Sequence, residues 1–335
     1  MGEKKRAQAC HVLADVGGTH ARFAIVRGDE PDLHCLQTYD CADYGCFEDV
    51  VAAYFATLAA ADLGCLHSAC FAIAAPVHED AIVMINSPWR FSRRALARRL
   101  GMPLTILNDF TAQAWCLPSL QGEQVLWLQG PHQGGELSAD IVPTSTVVGP
   151  GTGFGGATVM PSGEVLESEP GHVSFAPRNP HERDLLTQLW RRYDRVCVEH
   201  LLSGPGLANL YWANKALEGR QQGGELLELC AAQILAGARA GDPLCLRSIG
   251  DFTAILGSVC GDIALSMGSR AGFYLSGDIL RRLDELFDRG LFIAGFTDKG
   301  PFSDWCRQVP VGLIGAAYPG LLGCAIFCRA RFGED

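Results

Sequence analysis

Apolar residues along the chain gather in short strand-like runs, and segments of helical spacing separate them. Residues 11–15 and 21–26 read as two strands around a turn, and 33–39 as a third. Residues 47–61 have the length and spacing of a helix, and "ACFAIAAPV" (69–77) is an unbroken apolar run of central-strand type. A short strand follows at 81–85, Ser92 stands where a cap would open a helix reaching Leu100, and 104–109 form another strand. Strands followed by helices predict an α/β architecture with parallel pairing. After Leu117 the pattern loosens, and "QGEQVLWLQGPHQGGELSAD" reads as one strand and a long loop. The later half is richer in helix, at 182–195, 225–241 and 243–267. The final segment, "VPVGLIGAAYPGLLGCAIFCRARF", returns to strand and then helix. These shifts place a first domain at 1–118, a second at 119–315 and a last helix, 316–335, that returns to the first.

The first turn is unusual in its chemistry. "LADVGGTHARFAIV" (13–26) sets a carboxylate, two glycines and a hydroxyl between two strands. A plain Gly-Gly hairpin would need only residues able to take positive φ. The other reading is a loop whose N–H groups face an anion, with Gly17 and Gly18 letting a phosphate reach the main chain. "TSTVVGPGTGFGGATVM" (144–160) repeats the form of strand, glycine-rich turn and strand. Two such hairpins would meet a nucleotide from two sides. The second contains a literal GxGxxG at Gly151, Gly153 and Gly156, but a dinucleotide fingerprint must open a helix. Here 157–160 continue as strand, and no Gly-Lys pair exists for a Walker A loop.

Composition narrows the class. The 335 residues exceed one comfortable core, so two domains are expected. With 48% hydrophobic and 19% charged residues the chain is of soluble globular type. A net charge of −10 argues against nucleic acid as a partner, and the basic cluster "RFSRRALARRL" reads as a solvated helix face. The 14 cysteines are scattered, form no CxxC pair and often sit in apolar runs, as at Cys70, Cys260 and Cys324. That usage predicts small buried hydrophobes in a reducing compartment, with neither disulfides nor zinc. No signal peptide, myristoylation pattern or membrane-spanning stretch is expected, and the location expected is cytoplasmic.

Several polar residues stand where a site would form. "ILNDFTAQA" ends a strand with Asn108 and Asp109 and starts a helix, at the kind of strand end where α/β proteins bind ligands. Asp109 would equally serve as a helix cap. "ESEPGHVSFAP" adds Glu169 and His172 on a Pro/Gly loop, and "VEHLLSGPGL" adds Glu199 before a second Gly-Pro-Gly turn. Carboxylates and amides gathered on one pocket suit a polyhydroxylated substrate, because a wrong stereoisomer leaves a buried group unpaired.

The ordered set "DVGGTHARFA", "LNDFTA", "GPGTGFG", "SEPGHVSFAP", "EHLLSGPGLANLY", "SGDI", "FTDKGPF" and "YPGLLGCA" resembles the bacterial ATP-dependent glucokinases. These form the non-ROK group of the hexokinase–actin–Hsp70 superfamily, and the resemblance runs from about residue 11 to about 330. It implies a two-domain actin-like (ribonuclease H-like) fold, with a cleft between a small α/β and a larger α+β domain. Asp15, Gly17, Gly18 and Thr19 would form a first phosphate loop, with Asp15 acting on Mg2+ through water. Gly151, Thr152 and Gly153 would lie in the second loop, which extends to Gly155, and Ser276, Gly277 and Asp278 in the adenosine region. Asn108, Asp109, Glu169, His172 and Glu199 would hold glucose, with Asp109 as base for the 6-hydroxyl. The resemblance also implies ATP as co-substrate, a homodimer, and domain closure that excludes water. Ser168 and Pro170 depart from the family's usual Gly-Glu-Gly-Gly-His, and Asp278 replaces the second glycine of its Gly-Gly-Ile. A kinase for another hexose and a polyphosphate-dependent glucokinase are the neighbouring readings. A sugar-sensing repressor would need a helix-turn-helix, for which ten residues before the first strand leave no room.

Overall fold

The most apolar runs become the central strands, because packing covers both of their faces. The structure, a computed structural model, describes residues 9–28, 32–84, 87–130, 143–219 and 228–332. In chain order come β1 (Cys10–Val16), β2 (His20–Arg27), β3 (His34–Asp40), α1 (Phe47–Thr57), α2 (Ala60–Cys65) and β4 (Leu66–Ile73). Next are β5 (Ala81–Val83), β6 (Arg90–Ser92), α3 (Arg93–Leu100), β7 (Leu104–Asn108) and α4 (Asp109–Cys116). They are followed by β8 (Val125–Gln129), β9 (Ser145–Pro150), β10 (Phe154–Val159), β11 (Val165–Ser168), α5 (Pro180–Leu189) and α6 (Gly204–Leu217). Then come α7 (Ala231–Arg239), α8 (Pro243–Met267), β12 (Gly272–Leu275), α9 (Asp278–Leu283) and α10 (Arg289–Thr297). The last are α11 (Ser303–Arg307), β13 (Val311–Ile314) and α12 (Pro319–Phe332).

Two compact units result: Met1–Gln124 with Ala316–Asp335, and Val125–Gly315. The dividing point lies beyond Pro118, because 3₁₀ turns at Leu117–Ser119 and Gly122–Gln124 continue from α4. The first unit holds a mixed sheet in the order β3-β2-β1-β4-β7. β1, β2 and β3 pair antiparallel, while β4 and β7 extend the other side in parallel. One sheet face packs Val12, Ala14, Val16 and Phe71 against Phe47, Tyr54 and Trp89. The other packs Leu13, Cys70 and Ala72 against Leu321, Cys324 and Cys328 of α12. α12 also lies close on α4, where a side chain at Gly323 would overlap the Ala112 carbonyl.

The second unit holds a sheet in the order β11-β10-β9-β12-β13-β8. Again three antiparallel strands come first, and β12 and β13 add in parallel beside β9. β8 closes the edge antiparallel to β13. Apart from that edge strand, the two sheets follow the same path. Its core gathers around α8, with Phe252, Leu256 and Cys260 beside Phe292 and Phe296 of α10.

Several expectations need correction. Residues 47–61 hold two helices, because Leu58 turns to extended geometry (φ −78°, ψ 139°) after Thr57. The helix expected at 182–195 is α5, opened earlier by the Asn179 cap and Pro180. The supposed Gly-Pro-Gly turn at 204–206 is the first turn of α6, which Ser203 caps by accepting from the Gly206 N–H. The three-residue strand β6, pairing with β5, was not expected at all. Ile85, most of the loop after residue 130 and the start of the 225–241 helix lie outside the described residues. By length and composition α8 would span a membrane, contrary to expectation, yet 67% of its most apolar window is buried inside the protein. It is a core helix of the second unit. Cys10 and Cys65 form a disulfide with Cα atoms 5.4 Å apart, also contrary to expectation. Sheet pairing of β1 with β4 brings the two together across 55 positions of sequence. Cys70, Cys260 and Cys324 are buried free thiols as anticipated, and burial pushes the Cys116 thiol up to about 12.

Candidate active site

In the first unit, β1 reaches the sheet edge at Val16 and the chain turns through Gly17, Gly18 and Thr19. The Gly17 N–H donates to the His20 carbonyl at 3.0 Å, and the Cys41 N–H to the Thr19 carbonyl at 2.8 Å. Neither glycine takes a positive φ. A Cβ at Gly17 would meet only the His20 oxygen, at 3.9 Å. Backbone geometry and packing therefore do not require a glycine at 17, which weakens the plain-hairpin reading. Asp15 is half-buried and points to the sheet face that α12 covers, opposite Ala14 and Val16.

Asn108 and Asp109 stand at the same edge of that sheet. Register places Val16 level with Ile73, and Ile73 level with Asn108. Two strand spacings separate β1 from β7, about 10 Å. The Asn108 Oδ1 accepts from the Phe110 N–H at 2.9 Å and the Thr111 N–H at 3.3 Å, so Asn108 caps α4. Its Nδ2 donates to the Ala75 carbonyl at 3.5 Å. The capping role considered for Asp109 thus belongs to its neighbour. Asp109 is the first residue of α4, half-buried, where the helix dipole favours a carboxylate.

In the second unit the β9–β10 turn, Gly151 to Gly153, is held from several sides. The Gly151 N–H donates to the Gly153 carbonyl at 2.8 Å, and the Gly204 N–H to the Gly151 carbonyl at 2.9 Å. The Phe154 N–H donates to Glu199 Oε2 at 2.8 Å. A side chain at Gly153 would run into the Glu199 carboxylate, and one at Gly171 into the Phe154 carbonyl. Thr152 is exposed at the tip. β10 continues as a strand to Val159, which excludes the dinucleotide fingerprint here.

Glu169 precedes and His172 closes a 3₁₀ turn, Pro170–His172, and both residues are exposed. The His172 N–H donates to the Glu169 carbonyl at 3.1 Å, and the His172 carbonyl accepts from Arg195 at 2.9 Å. Pro170 lies beside Gly156, where a Cβ would sit 2.9 Å from its ring. Arg195, which also donates to Ser174 Oγ at 3.1 Å, was not expected as a brace of this loop. Only its basic character would have flagged it. Glu199 lies in the 3₁₀ turn Val198–His200. The next residue, His200, stacks on Tyr193 at 3.9 Å and accepts the Cys197 N–H on Nδ1. Burial holds its imidazole below the usual value.

The Ser276–Asp278 segment adjoins the same turn. The buried Ser276 donates its N–H to the Val148 carbonyl at 2.9 Å. Gly277 takes φ 128°, and a Cβ there would run into the Pro150 carbonyl oxygen, so only glycine fits. Asp278 opens α9, an ordinary place for a carboxylate. Lys299 of "FTDKGPF" points elsewhere: its Nζ donates to the Ser258 carbonyl at 2.9 Å and pairs with Asp262 at 2.7 Å, bracing α8. Among the described residues no group of three or more His, Cys, Asp or Glu is arranged to hold a metal ion.

Against known proteins, a family model described as Glucokinase matches residues 12–331. A glucokinase of Chromohalobacter salexigens is 39% identical over 328 residues, covering 97% of this chain and 98% of that protein. One from Aromatoleum aromaticum is 38% identical over 319 residues, covering 94% and 93%. The crystal structure of a glucokinase from an Antarctic psychrotroph superposes with a TM-score of 0.81 at 31% identity, covering 96% and 99%. With the family model matching nearly the whole sequence, this chain belongs to the glucokinase family.

Proposed function

We propose that this chain transfers the γ-phosphoryl group of ATP to the 6-hydroxyl of D-glucose, giving glucose 6-phosphate and ADP. Family membership supports the reaction. The observation that carries the chemistry is Asp109: Asn108 caps α4, so Asp109 is not needed as the cap, at the same sheet edge as the Asp15 loop. Asp109 takes the proton of the 6-hydroxyl as the bond to phosphorus forms. Asn108, Glu169, His172 and Glu199 orient the sugar through its hydroxyls. The N–H groups of Gly17, Gly18 and Thr19, and those of Gly151, Thr152 and Gly153, receive the phosphates, while Ser276, Gly277 and Asp278 adjoin the adenosine. Phosphoryl transfer asks for alignment and charge stabilisation more than covalent help.

The carboxylate of Asp15 suits Mg2+, which keeps several waters and takes one or two carboxylates plus substrate phosphates rather than an all-protein cage. Bound there, the ion would neutralise charge on the transferring phosphate. The matching strand order of the two sheets supports a two-domain actin-like (ribonuclease H-like) ATPase fold. Among the described residues, twelve free cysteines against one disulfide support a cytoplasmic setting, where glucose 6-phosphate would enter glycolysis. Exposed Trp190 and Val173 in the second unit support a homodimer, which light scattering reporting a 36 kDa particle at micromolar concentration would refute. A coupled assay across hexoses, with ATP and polyphosphate as donors, tests the reaction. Glucose with ATP should be the preferred pair. Preference for another hexose or for polyphosphate would overturn it.

A further inference from the structure

We infer that Gly320, in the first turn of α12, is a positioning residue for the Asp15 carboxylate, an inference that rests on the role given to Asp15 above. Asp15 and Gly320 belong to the same unit, and Gly320 is buried. A Cβ built on Gly320 would lie 2.8 Å from Asp15 Cγ, 3.0 Å from Oδ2 and 3.1 Å from Oδ1. All three carboxyl atoms would be crowded at once, so the carboxylate would have to move.

Other reasons for a glycine here fail. Gly320 has no positive φ, and glycine is a poorer helix former than alanine. Backbone conformation and helix propensity would therefore both favour a side chain. The approach to this point is itself constrained. Tyr318 sits at φ 56°, a left-handed conformation that tyrosine rarely adopts, and Pro319 follows with its ring-fixed φ. That bend brings the opening turn of a 14-residue helix against the carboxylate, where the helix dipole favours negative charge. One turn on, burial chiefly pushes the Cys324 thiol up, and the nearby Asp15 charge adds to it. Gly320 and Cys324, four residues apart, share a helix face turned to Asp15. The missing side chain leaves room for the carboxylate where it lies.

The test is Gly320→Ala, with Gly64→Ala as control, since a Cβ at Gly64 on α2 meets nothing within 4 Å. Gly320→Ala should lower turnover about 10- to 100-fold, as displacements near 1 Å do. Calorimetric glucose binding without nucleotide should stay within about twofold, a change no larger than contacts remote from a site produce. Gly64→Ala should leave turnover unchanged. In an Asp15→Ala background, adding Gly320→Ala should cost no further turnover and should raise the melting temperature. Wild-type turnover in Gly320→Ala overturns the inference, as does an equal added loss without the Asp15 carboxylate. If Gly320→Ala does not fold, the double variant with Asp15→Gly decides. Recovered folding supports the steric link, and continued failure overturns it. Full turnover in Asp15→Ala alone would instead remove the role given to Asp15.

Discussion

The β1–β2 and β9–β10 hairpins occupy corresponding places in two sheets of one strand order, yet their turns are held by different means. The first turn is closed by its own Gly17–His20 bond with Cys41 donating to it from outside, has an open position at Gly17 and takes its carboxylate from its own strand, at Asp15. In the second, the carboxylate arrives from outside, as Glu199 on the Phe154 N–H, and Gly171, Gly204 and Gly277 press against neighbouring backbone. A turn with open space at its glycine should lose rate without losing shape. A turn that is braced should lose geometry and affinity together.

Of the two hairpins, the first should show the larger effect. Asp15→Ala should lower turnover ~10²–10³-fold, the range for removing one group that stabilises transition-state charge, with native circular dichroism. Normal turnover would remove Asp15 from the chemistry, and lost stability with little lost rate would make the turn structural. Gly153→Ala is expected next. Its Cβ would displace the Glu199 carboxylate, and kcat/KM should fall about 10²-fold with both substrates bound more weakly. A fall confined to one substrate would separate the second turn from the sugar loop. Glu199→Gln should be milder, because the amide oxygen still accepts from Phe154. The glucose KM should rise about tenfold, the worth of a hydrogen bond to a charged group. An unchanged KM and unchanged hexose discrimination would leave Glu199 only its loop contact.

What could be read beforehand follows physical range. α8 was legible to the residue, because a long apolar period bounded by the Asp242 cap and Gly268 is a local signal. The β9–β10 hairpin was legible for the same reason. The first turn of α6 was not, since Gly-Pro-Gly reads as a loop until the Ser203 cap is seen to open a helix. The Cys10–Cys65 bond depends on pairing between distant strands, which spacing does not encode. In the site, residue types were visible, but the division of labour between Asn108 and Asp109 was not. Either side chain caps a helix well, and only the Asn108 hydrogen bonds decide between them.

That division makes Asp109→Asn the most direct test of the account. A sugar hydroxyl is a poor nucleophile at neutral pH, and a general base contributes ~10²–10⁴ in rate, roughly 3–5 kcal/mol of barrier. The substituted amide would keep the size and much of the hydrogen bonding of the carboxylate, and the α4 cap would be untouched because Asn108 supplies it. Turnover at saturating ATP and glucose, measured beside calorimetric glucose binding, should fall near the upper end of that range while binding is retained in part. Turnover within a factor of about three of wild type, far below the effect of a lost base, would contradict the account.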